Sequence, residues 1–243
     1  MAEARPNLGR FLGAAFLVVV LTSLSGGVVL SSAVGPSSAI SDILASIASR
    51  PALLRIAILV DLATTVGVVV MAALLYTILS MVKRPVALLA YSLWLGEAFA
   101  LGFSKVAAAA LIPLSQDFVQ AGMPAHSYYQ TLGQFLYSGV VTQLGQTTHM
   151  FFYCTGGLLW YWLFYRSRYV PRWLSGYGIA AVAVALLGVL AQFLGFSVPI
   201  FVFLPILPFE LGIGFWLLIK GIGIHDATLR GEEMAARAVA AAS

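Results

Sequence analysis

Six apolar runs, each long enough to cross a hydrocarbon layer about 30 Å thick, limit what this chain can fold into. They lie at about 11–32, 55–80, 86–112, 140–165, 173–195 and 199–221. Hydrocarbon offers no water to an unpaired backbone amide, so runs of this length cross it as helices. Composition agrees: of 243 residues 61% are hydrophobic and 9% charged, and the mean hydropathy is +0.97. A water-soluble domain is roughly one-quarter charged, so lipid is the solvent that this surface fits. The expected fold class is all-α, a polytopic membrane bundle of six transmembrane helices with both termini inside. It forms a single domain over 1–243, with a cytoplasmic tail at 222–243. The first run follows Arg5 and Arg10, as a signal peptide also would. Its apolar part exceeds the usual ~7–15 residues of a signal sequence, and it is read as a retained helix.

Positive charge sets the orientation. With the N-terminus inside, the cytoplasmic side holds Arg5, Arg10, Lys83, Arg84, Arg166, Arg168, Arg172, Lys220, Arg230 and Arg237. The outer side holds Arg50 and Arg55. This asymmetry is the positive-inside signature of a multi-pass membrane protein. It also accounts for the net charge of +4 without invoking nucleic acid as a partner. Trp160, Tyr161, Trp162, Tyr165 and Trp173 flank the basic 166–172 loop, as an interfacial belt does. The single cysteine, Cys154, excludes a disulfide framework and a cysteine-built metal site. No zinc motif, P-loop, nucleophile elbow or nucleotide fingerprint occurs, so neither a metal nor a cofactor is expected.

The connections are lopsided. The inner turns near 81–85 and 166–172 are tight, whereas the outer ones, about 33–54 and 113–139, are long. In the first, Ile40, Ile43, Leu44 and Ile47 recur at helical spacing opposite Ser41, Asp42 and Ser46. That pattern predicts a short amphipathic helix on the outer surface. The second carries Tyr128, Tyr129, Phe135 and Tyr137 and is expected to do likewise. Such segments are either plain connections or lids. No internal repeat is visible, which weighs against an inverted-repeat transporter.

Ionisable groups inside apolar runs are the informative residues, because each costs about 2.5–3.5 kcal/mol or more at mid-membrane. Five occur: Asp61, Glu97, Lys105, His149 and Glu210. A rise of ~1.5 Å per residue places Asp61 about 9 Å and His149 about 14 Å below the outer surface. Glu97 and Glu210 fall near the midplane, and Lys105 near the outer end of its helix. Gln143, Gln146, His149 and Tyr153 recur at spacings of three, three and four and are expected to share one helix face. Pro205 and Pro208, just before Glu210, free backbone carbonyls of the sort found beside a protein-lined or wet cavity. Gln192 is placed to join them. A polar network that only fixes helix packing, at ~0.6 kcal/mol per bond, is the plainer alternative. Serine and threonine would serve that purpose, so three carboxylates, a lysine and a histidine favour a functional cavity.

The residues divide into roles on this basis. Glu97 and Glu210 form the acid–base pair, tuned by Asp61 and His149. Lys105, Gln143, Gln146, Tyr153 and Gln192 are substrate-binding candidates. Lys105 either snorkels outward or pairs with a carboxylate. Burial disfavours the charged form of a carboxyl, and Lys105 balances one negative charge at best. One of Glu97 and Glu210 is therefore expected to keep its proton. With no second intramembrane histidine, His149 cannot complete a bis-histidine haem site, although a single axial bond to a pigment stays open.

Several stretches resemble a bacterial membrane family catalogued as domain of unknown function 4386. The most specific runs from Phe164 through Arg166, Arg168, Pro171, Arg172 and Trp173 to Ser175, and looks like that family's loop between helices 4 and 5. Also similar are Arg84 to Ala90, the surroundings of Glu97, His149 ahead of the basic loop, and Glu210 followed by Trp216 to Gly221. Trp94 stands where the family's pattern suggests an arginine. The likeness covers about 40–221 and implies six helices in one unit; it implies no activity. From the residues, the favoured expectation is a membrane-embedded enzyme acting on a lipid or isoprenoid-like substrate by cyclase- or isomerase-like chemistry. A small proton-coupled transporter, or an accessory subunit that binds lipid, quinone or pigment beside a membrane-protein partner, are the alternatives.

Overall fold

The computed structural model describes residues 4–222, and among them every regular element is helical. The tail beyond 222, with Arg230 and Arg237, lies outside the described residues, as does the side chain of Arg5. Helix α1 is Ala4–Val34 and α2 is Ile40–Ser49. The stretch Pro51–Gln120 is broken at Lys83 (φ −158°, ψ 92°) into α3 (51–82) and α4 (84–120). Helix α5, Tyr128–Gln134, runs through a π-helix, Phe135–Thr148, into α6, His149–Ser167. Helix α7 is Arg172–Phe193; a 3₁₀ turn, Ile200–Val202, then leads to α8, Ile206–Lys220.

The break at Lys83 follows from Pro85, which lacks an amide for the helix ladder and crowds the turn before it. What it produces is a hairpin. Asp61 and Lys105, each 22 residues from Lys83, meet at 2.5 Å, whereas a straight rod would hold them about 66 Å apart. At the turn, the Lys83 ammonium lies 5.8 Å from the ring centroid of Trp162 in α6. Gly9 of α1 rests against Ile222, just past α8. The start of α1, the α3–α4 turn and the ends of α6 and α8 thus gather at one end of the bundle. Arg10, Lys83, Arg84, Arg166, Arg168, Arg172 and Lys220 are exposed there, with no acidic residue of the described chain among them. Arg166 lies 5.6 Å from the Trp162 ring and Arg172 lies 5.2 Å from that of Tyr165, so aromatic faces hold the cations in place.

The opposite end is capped. Helix α2 buries Ile43, Leu44 and Ile47 against a cluster that includes Ala33, Leu111 and Phe118. The Ser46 hydroxyl ties it to the Ala33 carbonyl at 3.0 Å. The second long connection is much shorter than its sequence suggests: α4 runs on to Gln120 and α5 starts at Tyr128. Leu111, Ile112, Leu114 and Phe118 bury on α2 and Tyr129, and this packing carries the helix past Pro113.

Four helices among the described residues are long and apolar enough to cross a membrane: Asn7–Val34, Pro51–Gln120, Arg172–Phe193 and Ile200–Lys220. The second of these is a pair once broken at Lys83. The α6 stretch carries Tyr and Trp in place of aliphatic residues. Leu21, Val28, Phe99, Val106, Leu187 and Ile219 are each more than 60% exposed, an outer surface suited to lipid.

Between helices in lipid, packing relies on close backbone approach at small residues. Gly13 illustrates this: a Cβ there would stand 2.6 Å from the Gly214 carbonyl oxygen and 2.9 Å from the Leu217 carbonyl carbon. Those neighbours are backbone and cannot step aside. Gly13→Val should therefore push α1 off α8 and cost about 1–3 kcal/mol, the usual range for overpacking. A lowered thermal midpoint in detergent checks this; an unchanged midpoint would mean that α1 is free to shift.

Candidate functional site

Above the α1–α8 contact the two helices part. Gly9, Gly13 and Leu17 pack on α8, but α1 makes no close approach to the Ile200–Val202 turn. The wedge between them is a cavity of about 410 Å³, inside the range of small-molecule sites. Its wall is mainly apolar, with Val20, Val68, Met71, Leu101, Met150 and Phe203 among its residues. Leu24, Ile200 and Leu204 on its rim are 51%, 75% and 54% exposed, so the cavity opens between α1 and the segment at 200–204.

Asp61, Glu97, Lys105, Gln146, His149, Tyr153 and Glu210 all line this one cavity. Two of the candidates do not. Gln143 is exposed away from the wall, and Gln192 sits half-buried near the end of α7. For Gln143 the cause is the π-helix. Its bonds close over five residues instead of four, so a spacing of three no longer returns to the same face. The Thr148 hydroxyl donates to the Gln143 carbonyl, five residues back, at 3.0 Å. The expected α-helical period does not hold over Phe135–Thr148. Gln192 is too near the end of its helix to reach the wedge between α1 and α8.

The polar groups fall into two sets. Toward the capped end Lys105 donates to Asp61 at 2.5 Å, and the two side chains are 7% and 14% exposed. Two glycines shape this pair. An Asp61 oxygen sits where a Gly26 Cβ would be, and a Gly145 Cβ would stand 2.6 Å from Ser104 Oγ and 3.9 Å from Lys105 Nζ. Lys105 therefore takes the second of its two expected options, pairing with a carboxylate.

Deeper in, Tyr153 donates to Glu210 Oε1 at 2.8 Å, and its oxygen lies 3.2 Å from the Tyr161 hydroxyl. Since Tyr153 has spent its one proton on Glu210, Tyr161 is the donor in the second bond, and the chain points at the carboxyl. Glu97 is placed differently. It is 5% exposed, and its Oε2 has no hydrogen-bond partner among the described residues. His149 Nδ1 is also buried, with only the Gly145 backbone beside it. The Glu97 oxygen on this cavity wall is thus left unmet by the protein, a costly condition in the absence of a partner.

An aromatic layer closes the cavity toward the basic end. Trp94 stacks on Tyr153 (5.9 Å, 9°), meets Trp160 edge-on at 6.1 Å and donates Nε1 to the Tyr153 carbonyl at 3.1 Å. Tyr161 meets Phe209 edge-on at 4.4 Å. Trp160 and Tyr161, expected in the interfacial belt, are fully buried in this layer. Trp162, Tyr165 and Trp173 are the ones that reach the basic end's surface. The signal for Tyr161 was its spacing of eight from Tyr153, two turns along one α-helical face. Cys154 is buried and free in the same region.

The fold and site define an all-helical, membrane-like bundle with a cluster of ionisable side chains around one interior cavity. The chain belongs to the family described as domain of unknown function (DUF4386), whose sequence profile matches residues 11–221. The match takes in α1, which the resemblance starting near residue 40 had left out. No curated protein and no solved structure matches the chain significantly.

The ion pair allows a direct check. Removing one partner of a buried pair costs about 3–5 kcal/mol because the other charge is left unanswered. Lys105→Met should destabilise the protein by about that much, and Asp61→Asn added to it should restore most of the loss. Chemical denaturation of both variants in detergent reads the coupling; independent, additive costs would show that the two groups do not interact.

Proposed function

We propose that this is a membrane-embedded enzyme that carries out acid–base chemistry on an apolar, lipid-like molecule admitted sideways from the bilayer. The observation that carries the proposal is the pairing of Glu97 and Glu210 on one apolar cavity in unlike settings. Glu97 faces the space with an oxygen that no protein group occupies, whereas Glu210 accepts the Tyr161–Tyr153 chain. Two carboxyls in unlike surroundings divide naturally into donor and acceptor. Glu97 delivers a proton to an alkene carbon, epoxide or carbonyl oxygen of the bound molecule. Glu210 removes one from a neighbouring carbon, and the double bond moves. One proton passing from Glu210 back to Glu97 completes the cycle, so the reaction is an isomerisation or cyclisation with no net change in protons or electrons.

The apolar rim of Leu24, Ile200 and Leu204 supports this over transport, since a permeating solute needs a path to both faces and the aromatic layer fills one direction. General acid–base groups contribute about 10²- to 10⁴-fold. Glu97→Gln and Glu210→Gln should each lose that much turnover while still folding. A readout that needs no known substrate is infrared difference spectroscopy as apolar extracts of the native membrane are added. A carboxylic-acid band that responds to ligand and vanishes in Glu97→Gln is expected; no such band in the wild type would sink the acid–base role.

We also propose six crossings, with the basic end in the cytoplasm of a bacterial inner membrane. The cation-rich end and the antiparallel hairpin at Lys83 support it. Reporters fused at residue 1 and residue 243 should both read cytoplasmic, and a reporter inserted at 122–126 should read external. An external C-terminus would overturn the topology.

A further inference from the structure

We infer that the polar group of the molecule held in this cavity is uncharged, a hydroxyl or carbonyl on an apolar chain, and that the site rejects phosphate and carboxylate heads. This rests on the proposal that the cavity takes a lipid-like molecule, and it narrows the class. Among the described residues Lys105 is the only Lys or Arg on the wall, and Asp61 already holds it at 2.5 Å. The pair has little room to open. One Asp61 oxygen is seated over Gly26, and the Lys105 ammonium is lodged beside Gly145 and Ser104. An anionic head would have to displace Asp61 from that seat, and it would then sit in a poorly solvated site with the displaced Asp61 carboxylate and Glu210, the proton acceptor, on the same wall. Like charges brought together with little water strongly disfavour a partner.

What the wall leaves unmet is of another kind. Glu97 Oε2 has no protein partner, His149 Nδ1 has only the Gly145 backbone beside it, and the amide of Gln146 lies on the same cavity. A hydroxyl both donates and accepts, so it suits such groups in either protonation state, and a carbonyl suits the donors among them. The ion pair thus acts as a filter. It supplies polarity near the mouth while withholding a free positive charge.

The test uses the full chain in nanodiscs of zwitterionic, net-neutral phosphatidylcholine, with tritiated farnesol as probe and farnesyl phosphate as competitor. The wild type should bind farnesol saturably, with farnesyl phosphate weaker by about tenfold or more. Asp61→Asn releases Lys105 and should shift the ratio toward farnesyl phosphate by about tenfold. Asp61→Asn combined with Lys105→Gln, which removes both charges, should keep farnesol binding and show no such shift. A wild type that prefers farnesyl phosphate would overturn the inference while leaving the lipid-like cavity standing. So would an Asp61→Asn protein that still binds farnesol at an unchanged ratio. Failure of both probes to bind the wild type would overturn the lipid-like reading of the cavity, and this inference with it.

Discussion

A charge inside a hydrocarbon layer has to be answered within the protein, and here that demand fixes how the chain folds back on itself. Asp61 and Lys105 sit at equal distances from Lys83, and they meet only because Pro85 breaks the long helix between them. Either group alone would cost several kcal/mol in such surroundings, so the pair favours the one hairpin register that joins them. Helix α1 then lies across the hairpin at Gly26, where the absence of a side chain makes room for the carboxylate. The π-helix lies across it at Gly145 for the same steric reason. Three separate stretches of chain are thus positioned around one ion pair, and the cavity is the space that their arrangement leaves beside α8.

The deeper carboxyls receive a different treatment, which is why they stand apart from the ion pair chemically. Glu210 is held by a tyrosine, itself held by another tyrosine, and both rings belong to the aromatic layer closing the basic side. Its orientation is therefore tied to the packed part of the bundle. Glu97 lies on the opposite helix with no such restraint, although the Trp94 ring one turn earlier is locked by its bond to the Tyr153 carbonyl. Tyr153 takes part in both arrangements, through its hydroxyl on one side and its carbonyl and ring on the other. A disturbance there would reach both carboxyls together.

Much of the fold was legible because length and hydropathy alone decide where a helix can sit in lipid. Helices α1, α3, α4 and α7 lie within several residues of the apolar runs, and α2 appears where Ile43, Leu44 and Ile47 recur. The clustering of intramembrane charges also pointed toward an interior site. What the sequence hid was helical pitch and side-chain reach. Gln143 and Gln146 look equivalent at a spacing of three, yet the five-residue closure of the π-helix sends one outward and leaves the other on the wall. Trp160 and Tyr161 read as interfacial because they neighbour Trp162 and the basic loop. Burial separated them: the first two are at 0% exposure, and the next ring carries the cations. The extension of α4 to Gln120 was masked by Pro113, whose helix-breaking tendency was outweighed by the packing of Phe118 and Leu111 against α2.

The shape of the cavity follows from an imbalance along α1. Its first half offers Gly9 and Gly13 to α8, and Gly214 reciprocates against Leu17, so the two backbones close tightly at the basic end. Its second half presents Ser23, Leu24 and Gly27 to the wedge, where the chain opposite is the Ile200–Val202 turn rather than a continuous helix. Pro199 and Pro205 bracket that turn, and Pro208 follows inside α8, so a straight helix packed along α1 is denied there. Tight contact at one end and a proline-interrupted partner at the other make a wedge that opens toward lipid. Lipid chains bring no hydrogen bonds to its wall, so the free oxygen of Glu97 can be satisfied there only by water or by a ligand's own polar group.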